Sequence, residues 1–304
     1  MYSTLGVSLP KRVFKELESV VLEKIGFLMM DVERKKKGFT LVELLTVLAI
    51  ITMLIGLLLP SLSMVRKFAK ETKQKAQLAT IGAALTTFRN DYGDYPRSNC
   101  PYPPPAAGSD YSGAQKLAEA LLGWDLMGFH PQSIWDGAGT AYNPPDDDNL
   151  SARRGRYLEL MTANAFKLGS LFANPARLAA NTFVLCDVFR VKRVTLPPLP
   201  DGTITTVKAG TPILYYKANT RYRIITQIYN NFDNQVLVDL GRVTDDRAHP
   251  LGHSGGNYQN FYQYIKDPRV TATTWPYRPD SYILITAGAD GLYGTSDDVC
   301  NFGN

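Results

Sequence analysis

A single carboxylate stands in an otherwise apolar run. Glu43 is the one ionisable side chain in the twenty-one residues 39–59, which follow Arg34, Lys35, Lys36, Lys37 and Gly38. A carboxylate at bilayer depth costs about 2.5–3.5 kcal/mol. The chemistry open to it is charge pairing with a cation brought into the same low-dielectric setting. A second cluster lies near the other end: Ala287-Gly288-Ala289-Asp290-Gly291-Leu292-Tyr293-Gly294-Thr295-Ser296-Asp297-Asp298-Val299. It collects three carboxylates and a hydroxyl on a glycine-rich loop. Calcium takes about six to eight oxygen ligands on a backbone that turns tightly, and this composition supplies such groups. An EF-hand is excluded, because the position two after Asp290 holds neither an acid nor Asn. The alternative is a plain Asx/Gly turn with solvated acids.

Other reactive residues form weaker constellations. Of Cys100, Cys186 and Cys300, the first and last are placed to tie the C-terminus to the end of a preceding helix, leaving one thiol over. His249 and His253 are four apart, but Pro250 and Gly252 oppose the helix that would pair them on zinc. Ser254, His253 and Asp245 make a triad on paper with no nucleophile elbow to support it. No enzymatic activity is expected.

The apolar run rises about 31 Å as a helix, enough for the roughly 30 Å hydrocarbon core of a bilayer. The cations before it hold that end in the cytoplasm and place the bulk of the chain outside. Gly38-Phe39-Thr40-Leu41-Val42-Glu43-Leu44-Leu45, behind its basic leader, resembles the N-terminal signature of type IV pilins and type II secretion pseudopilins. A plain signal anchor has no need of Gly, Phe and Glu at these spacings. The resemblance implies cleavage after Gly38 by a prepilin peptidase and methylation of the new amine at Phe39. It also implies an assembly role for Glu43, whose carboxylate would neutralise the Phe39 amine of a neighbouring subunit. On the same resemblance, the terminal loop is similar to the calcium loop of the major pseudopilin. Asp290, Asp297 and Asp298 are then side-chain ligands, and Thr295 a weaker one.

Those residues need elements to hold them. The leader 1–38 is longer than such leaders usually are, with Val13, Phe14, Leu17, Val20, Val21, Ile25 and Leu28 at helical spacing. It is either a cytoplasmic amphipathic helix or an artefact of a true start at Met29 or Met30. In both cases it is absent from the mature chain. Segment 39–60 is the transmembrane and assembly helix, and Pro60 is its first expected break. Segment 61–96 continues it amphipathically. Leu62, Val65, Ala69, Thr72 and Ala76 trace one stripe, and Leu78, Ile81, Leu85 and Phe88 a firmer one. Arg66, Lys67, Lys70, Lys73 and Lys75 read as a solvated face. Asp91, Gly93 and Pro96 end the helix, in a pattern that also resembles the αβ-loop of major pseudopilins.

The globular domain, 97–304, opens on a Pro-rich linker at 99–108 and carries the acidic loop at 287–300. A helix is expected at 115–122 and a loop at 143–149. Strands are expected at 182–188, 212–217, 222–229, 235–239 and 281–286. The fold class is α+β: one long helix packed on a mainly antiparallel sheet, pilin-like with large insertions.

Composition bounds the partners. The chain has 304 residues, 45% hydrophobic and 20% charged, and a net charge of +5. The leader holds eight Lys or Arg against five Asp or Glu, so it removes three of those charges and leaves about +2. A general nucleic-acid surface is excluded on that balance. The expected protein is a pseudopilin of a periplasmic type II secretion pseudopilus, single-pass in the bacterial inner membrane, with its C-terminal domain in the periplasm. Its implied partners are other pilin-like subunits, the prepilin peptidase and the inner-membrane assembly platform. The alternatives are a minor pilin, or a membrane-tethered domain that binds cargo or glycan.

Overall fold

The computed structural model describes residues 39–99, 110–131, 151–196, 198, 200–252 and 259–303. Outside them lie the leader with Gly38, nearly all of the Pro-rich linker with Cys100, the loop 143–149, and His253 and Ser254. The chain divides into two compact units, Met1–Leu62 and Ser63–Asn304.

A capping box starts the first helix. The Thr40 hydroxyl accepts from Glu43 N at 3.2 Å, and the Glu43 carboxylate accepts from Thr40 N at 2.9 Å. These reciprocal bonds satisfy backbone groups that a helix start otherwise leaves orphaned. From there α1 runs Leu41–Tyr92, 52 residues, contributing its first part to one unit and the remainder to the other. The break expected at Pro60 is not a break in secondary structure: residue 60 is helical. Proline removes one backbone bond, and the turns on either side keep theirs. Gly93, at φ 80°, ends α1 by donating its N–H to Arg89 O at 2.7 Å.

The second unit continues with α2 (Gly113–Leu122), α3 (Leu160–Ala163), β1 (Ala165–Lys167), α4 (Leu168–Leu171), β2 (Phe183–Leu185), β3 (Lys192–Thr195) and β4 (Thr206–Ala209). It closes with β5 (Leu214–Lys217), α5 (Ile225–Ile228), α6 (Phe232–Asp239), α7 (Gln259–Tyr264), β6 (Tyr282–Thr286) and β7 (Val299–Cys300). The α+β class holds, with the single sheet replaced by three small antiparallel ones, β1-β2, β3-β4 and β5-β6-β7. The last is central, with Tyr215 opposite Leu284 and Ile285 opposite Cys300.

Period-two alternation loads both faces of that sheet. Tyr215, Tyr282 and Leu284 pack with Leu78, Ile81, Leu85 and Phe88 of α1 and with Leu117 and Leu121 of α2. Leu214, Tyr216, Ile283 and Ile285 pack with Leu171, Ile228, Leu237 and Phe261. All five residues of β6 are buried in consequence. The first turn of α2 crosses close over β5, and a Cβ at Gly113 would meet Tyr215 O at 2.3 Å. Only glycine fits there.

Two expected strands are helices. Segment 222–229 contains α5, where Ile225 and Ile228 are buried three apart. Segment 235–239 is the end of α6, whose buried residues Asp233, Asn234, Leu237 and Val238 follow a helical period. Both segments are short, and packing beneath the central sheet decided them over β propensity. The first amphipathic stripe of 61–96 also differs. Leu62 and Val65 are 47% and 62% exposed, and Ala69, Thr72 and Ala76 are exposed as well. Burial of α1 begins only at Gln74.

Candidate functional site

Phe39 stands just ahead of the capping box, 77% exposed. Behind it Leu41, Val42, Leu44, Leu45, Val47, Leu48, Ile50 and Ile51 are all exposed. A helix apolar on every side needs an apolar surrounding. No helix among the described residues is long and apolar enough to cross a membrane. Side chains at 57, 59 and 60 lie outside the description, leaving 41–56 as the gap-free stretch. The span expected at 39–60 includes side chains that lie outside the described residues. Glu43 does have a partner that sequence reasoning overlooked, its own Thr40, whose hydroxyl donates to the carboxylate at 2.9 Å. The signal was present as Thr-x-x-Glu directly before an apolar run.

The acidic loop joins β6 to β7. It closes on itself because Gly288, at φ 59°, lets the backbone pass Asp297, whose carbonyl oxygen would lie 2.4 Å from a Cβ. The Asp297 carboxylate accepts from Ala289 N at 2.7 Å, Asp290 N at 3.0 Å and Thr295 Oγ1 at 2.6 Å. Asp298 Oδ2 accepts from Gly294 N and Tyr264 Oη, each at 2.7 Å. Burial pushes the Asp298 carboxyl up to about 6 against these bonds. For Asp297 burial acts upward too, but the Thr295 hydroxyl and the backbone N–H groups outweigh it and hold the acid below its usual range.

The loop brings three of its four expected ligands together. Thr295 Oγ1 has one proton and lies 2.6 Å from Asp297 Oδ1, 3.3 Å from Asp298 Oδ1 and 3.3 Å from Leu292 O. The hydroxyl donates to Asp297 Oδ1, its nearest acceptor, and the two contacts at 3.3 Å bring further oxygens to the same corner of the loop. Asp290 behaves differently: its carboxylate turns back to accept from Leu292 N at 2.8 Å. Among the described residues no group of three or more His, Cys, Asp or Glu side chains is placed to hold a metal ion.

Cys300 has no disulfide partner among the described residues; its Sγ lies 3.2 Å from Tyr264 Oη, and burial raises the thiol to about 12. Its expected pairing with Cys100 lies outside the described residues, as Cys100 does. His249 also holds the loop: its Nδ1 accepts from Tyr293 N at 3.1 Å, and the two rings lie 4.5 Å apart. Burial lowers its pKa to about 4, which keeps the ring neutral and able to accept. Pro250, read above as an argument against zinc, sits in the turn that follows this ring.

Within the second unit, the packing of α1 rests on two glutamines that sequence reasoning did not single out. Gln77 Nε2 donates to Thr162 O and Cys186 O, each at 3.0 Å. Gln74 Nε2 donates to Gln77 Oε1 at 3.0 Å, and Gln74 Oε1 accepts from Val188 N at 2.8 Å. Next to these contacts lies Asp187, fully buried, its Oδ1 accepting from Phe189 N at 3.0 Å and its Oδ2 with no hydrogen-bond partner among the described residues.

Residues 34–59 match the family model of the prokaryotic N-terminal methylation motif. That motif is the signature of type IV pilins and pseudopilins, and its presence supports a pilin-like protein in general. No curated protein and no solved structure matches the chain.

Proposed function

We propose that this chain is a pilin-like structural subunit, a pseudopilin of a type II secretion pseudopilus, with no catalytic role of its own. The observation that carries the reading is the methylation motif at 34–59, followed by apolar side chains that stand exposed among the described residues. In this reading the apolar run 39–59 anchors the protein in the inner membrane. Peptidase cleavage after Gly38 exposes the Phe39 amine, which is methylated. Assembly then moves the apolar helix from lipid into a bundle of like helices, with Glu43 of one subunit paired to the Phe39 amine of another. The C-terminal domain lies in the periplasm. A minor pilin of a type IV pilus would use the same anchor and the same processing.

The oxygen set around Thr295 supports calcium in the terminal loop. Asp297, Asp298 and Thr295 would hold it through side chains, with Leu292 O beside them. Asp290 would first have to leave Leu292 N. The ion would neutralise the two acids and pin the connection between β6 and β7.

A second reading, a tethered binding domain for cargo or glycan, has one observation in its favour. A cleft of about 750 Å³ next to the loop is lined by Tyr264, Tyr277, Phe302, Lys266, Thr295 and Asp298, a mixture of rings and polar groups suited to a polar ligand.

N-terminal sequencing and intact mass of membrane-extracted protein test the main reading. In a strain with active peptidase the mature chain should begin at methylated Phe39. An N-terminus upstream of Phe39 would overturn it.

A further inference from the structure

The stretch of α1 between the apolar run and the docked half is exposed on every side, and its chemistry is divided. Met64, Val65 and Phe68 are 74%, 62% and 70% exposed. Arg66, Lys67, Lys70, Lys73 and Lys75 are exposed too, against one acid, Glu71, which stands 3.9 Å from Lys67. At about 100° per residue, Met64, Val65, Phe68, Ala69 and Thr72 gather on one side of the helix, which Lys75 closes at its C-terminal end, and Arg66, Lys67, Lys70 and Lys73 lie on the other. Domain packing starts only at Gln74. A merely solvated helix has no use for an exposed Phe and Met beside these cations. Helices with aromatic and aliphatic side chains on one face and Lys or Arg on the other bind at a bilayer interface, apolar face inward and cations on the headgroups.

We propose that residues 64–75 form a docking surface for the headgroup layer of an anionic phospholipid bilayer, occupied while the subunit resides in the membrane. Two features choose that occupant. The surface follows in sequence directly after the apolar run 39–59, so a chain anchored by that run delivers it to the headgroup level; in this the inference rests on the anchoring reading above. The charge is also complementary to anionic lipid, whereas a second copy meeting this face with its own would set five cations against five. Each Lys or Arg near an anionic leaflet strengthens attachment about fivefold, an effect confined to a Debye length. Leaving the bilayer for a fibre then requires these contacts to be given up, which holds back subunits that the assembly machinery has not engaged.

Lysine acetylation measured by peptide mass spectrometry tests it, on the full chain in lipid discs of phosphatidylcholine alone or with phosphatidylglycerol added. Lys208, exposed on β4, is the internal reference. Lys67, Lys70 and Lys73 should react about fivefold more slowly in the anionic discs, and recover when salt near 1 M shortens the Debye length to about 3 Å. The double variant Lys67→Gln, Lys70→Gln should leave Lys73 equally reactive in both discs. Equal rates for all three lysines in both discs would overturn the proposal and leave the anchor standing. Protection that follows the number of copies per disc, regardless of lipid charge, would assign the face to a second copy and overturn it as well. Failure of the chain to enter either disc would overturn both the proposal and the anchor.

Discussion

Glu43 has two partners to choose between. Within one chain its carboxylate closes the capping box with Thr40; in a fibre it would meet the Phe39 amine of a neighbour. The capping box supplies a partner for the carboxylate before assembly. Glu43→Leu should still insert and be cleaved, because a costly charge is gone from lipid. It should fail to enter fibres, because the neighbour's amine is left without its counter-ion. Fractionating sheared fibres from cells expressing the variant measures this, and wild-type incorporation would remove the assembly role. Asp187 is the other residue with a pH consequence. Burial raises its pKa to about 7. The titratable groups that feel its charge are the Cys186 thiol and the Tyr293 hydroxyl, both held neutral by burial. The native state keeps a proton that the unfolded chain loses above about pH 4, so this group's contribution falls as pH rises from about 4 to about 7. His249 acts oppositely: its contribution is present above about pH 6.5 and is lost as pH falls towards 4. Asp187→Asn should remove the descending component and raise stability at pH 8 by on the order of 2–4 kcal/mol. Unfolding curves of the two proteins across pH 4–8 that stay parallel would contradict this.

At the scale of elements, the contact between α1 and its domain is part apolar and part polar. Leu78, Ile81, Leu85 and Phe88 supply area, but area alone does not fix the axial position of a helix. The Gln74–Gln77 pair does, because its amides meet particular carbonyl and N–H groups of the α3 and β2 neighbourhood. Gln77→Leu keeps the volume, removes the donor that Thr162 O and Cys186 O share, and leaves Gln74 Nε2 without its acceptor. It should destabilise the second unit by about 2–3 kcal/mol, seen as a lower urea midpoint with an unchanged slope. A midpoint equal to wild type would mean water replaces the amide without loss. Several elements were legible beforehand: the helix at 115–122, the strands within 182–188, 212–217 and 281–286, and the firm stripe of α1. The hairpin β3-β4 and the helices α5 and α6 were not. Their segments are four to eight residues long, too short for periodicity to separate helix from strand.

For the molecule as a whole, the terminal loop couples the central sheet to its surroundings. It joins β6 to β7, carries Tyr293, whose hydroxyl donates to Pro212 O ahead of β5, and receives bonds from Tyr264 of α7. A cation bound there should stabilise the whole second unit, in proportion to RT ln(1 + [L]/Kd). Calcium in the millimolar range should raise the melting temperature of the detergent-extracted protein relative to chelator. Asp297→Ala should abolish the rise, and it should also cost the calcium-free protein some stability, because Ala289 N and Asp290 N lose their acceptor. Equal melting temperatures in calcium and chelator would leave the loop as a turn and withdraw the metal, without touching the N-terminal reading.

The sequence by itself determined the features whose partners are close along the chain. The methylation motif occupies contiguous residues. The Thr40–Glu43 box spans three positions, and the loop's acids lie within nine residues of one another. In such cases covalent spacing alone brings the groups into range. Tertiary structure decided whatever depended on distant partners. Gln77 meets carbonyls 85 and 109 residues away, His249 meets a backbone N–H 44 residues away, and Asp187 titrates as it does because the core closes over it. It also decided that the Met64–Phe68 side of α1 stays uncovered while the Leu78–Phe88 side is buried. Both stretches are amphipathic in sequence, and only the path of the rest of the chain determines which one the domain covers.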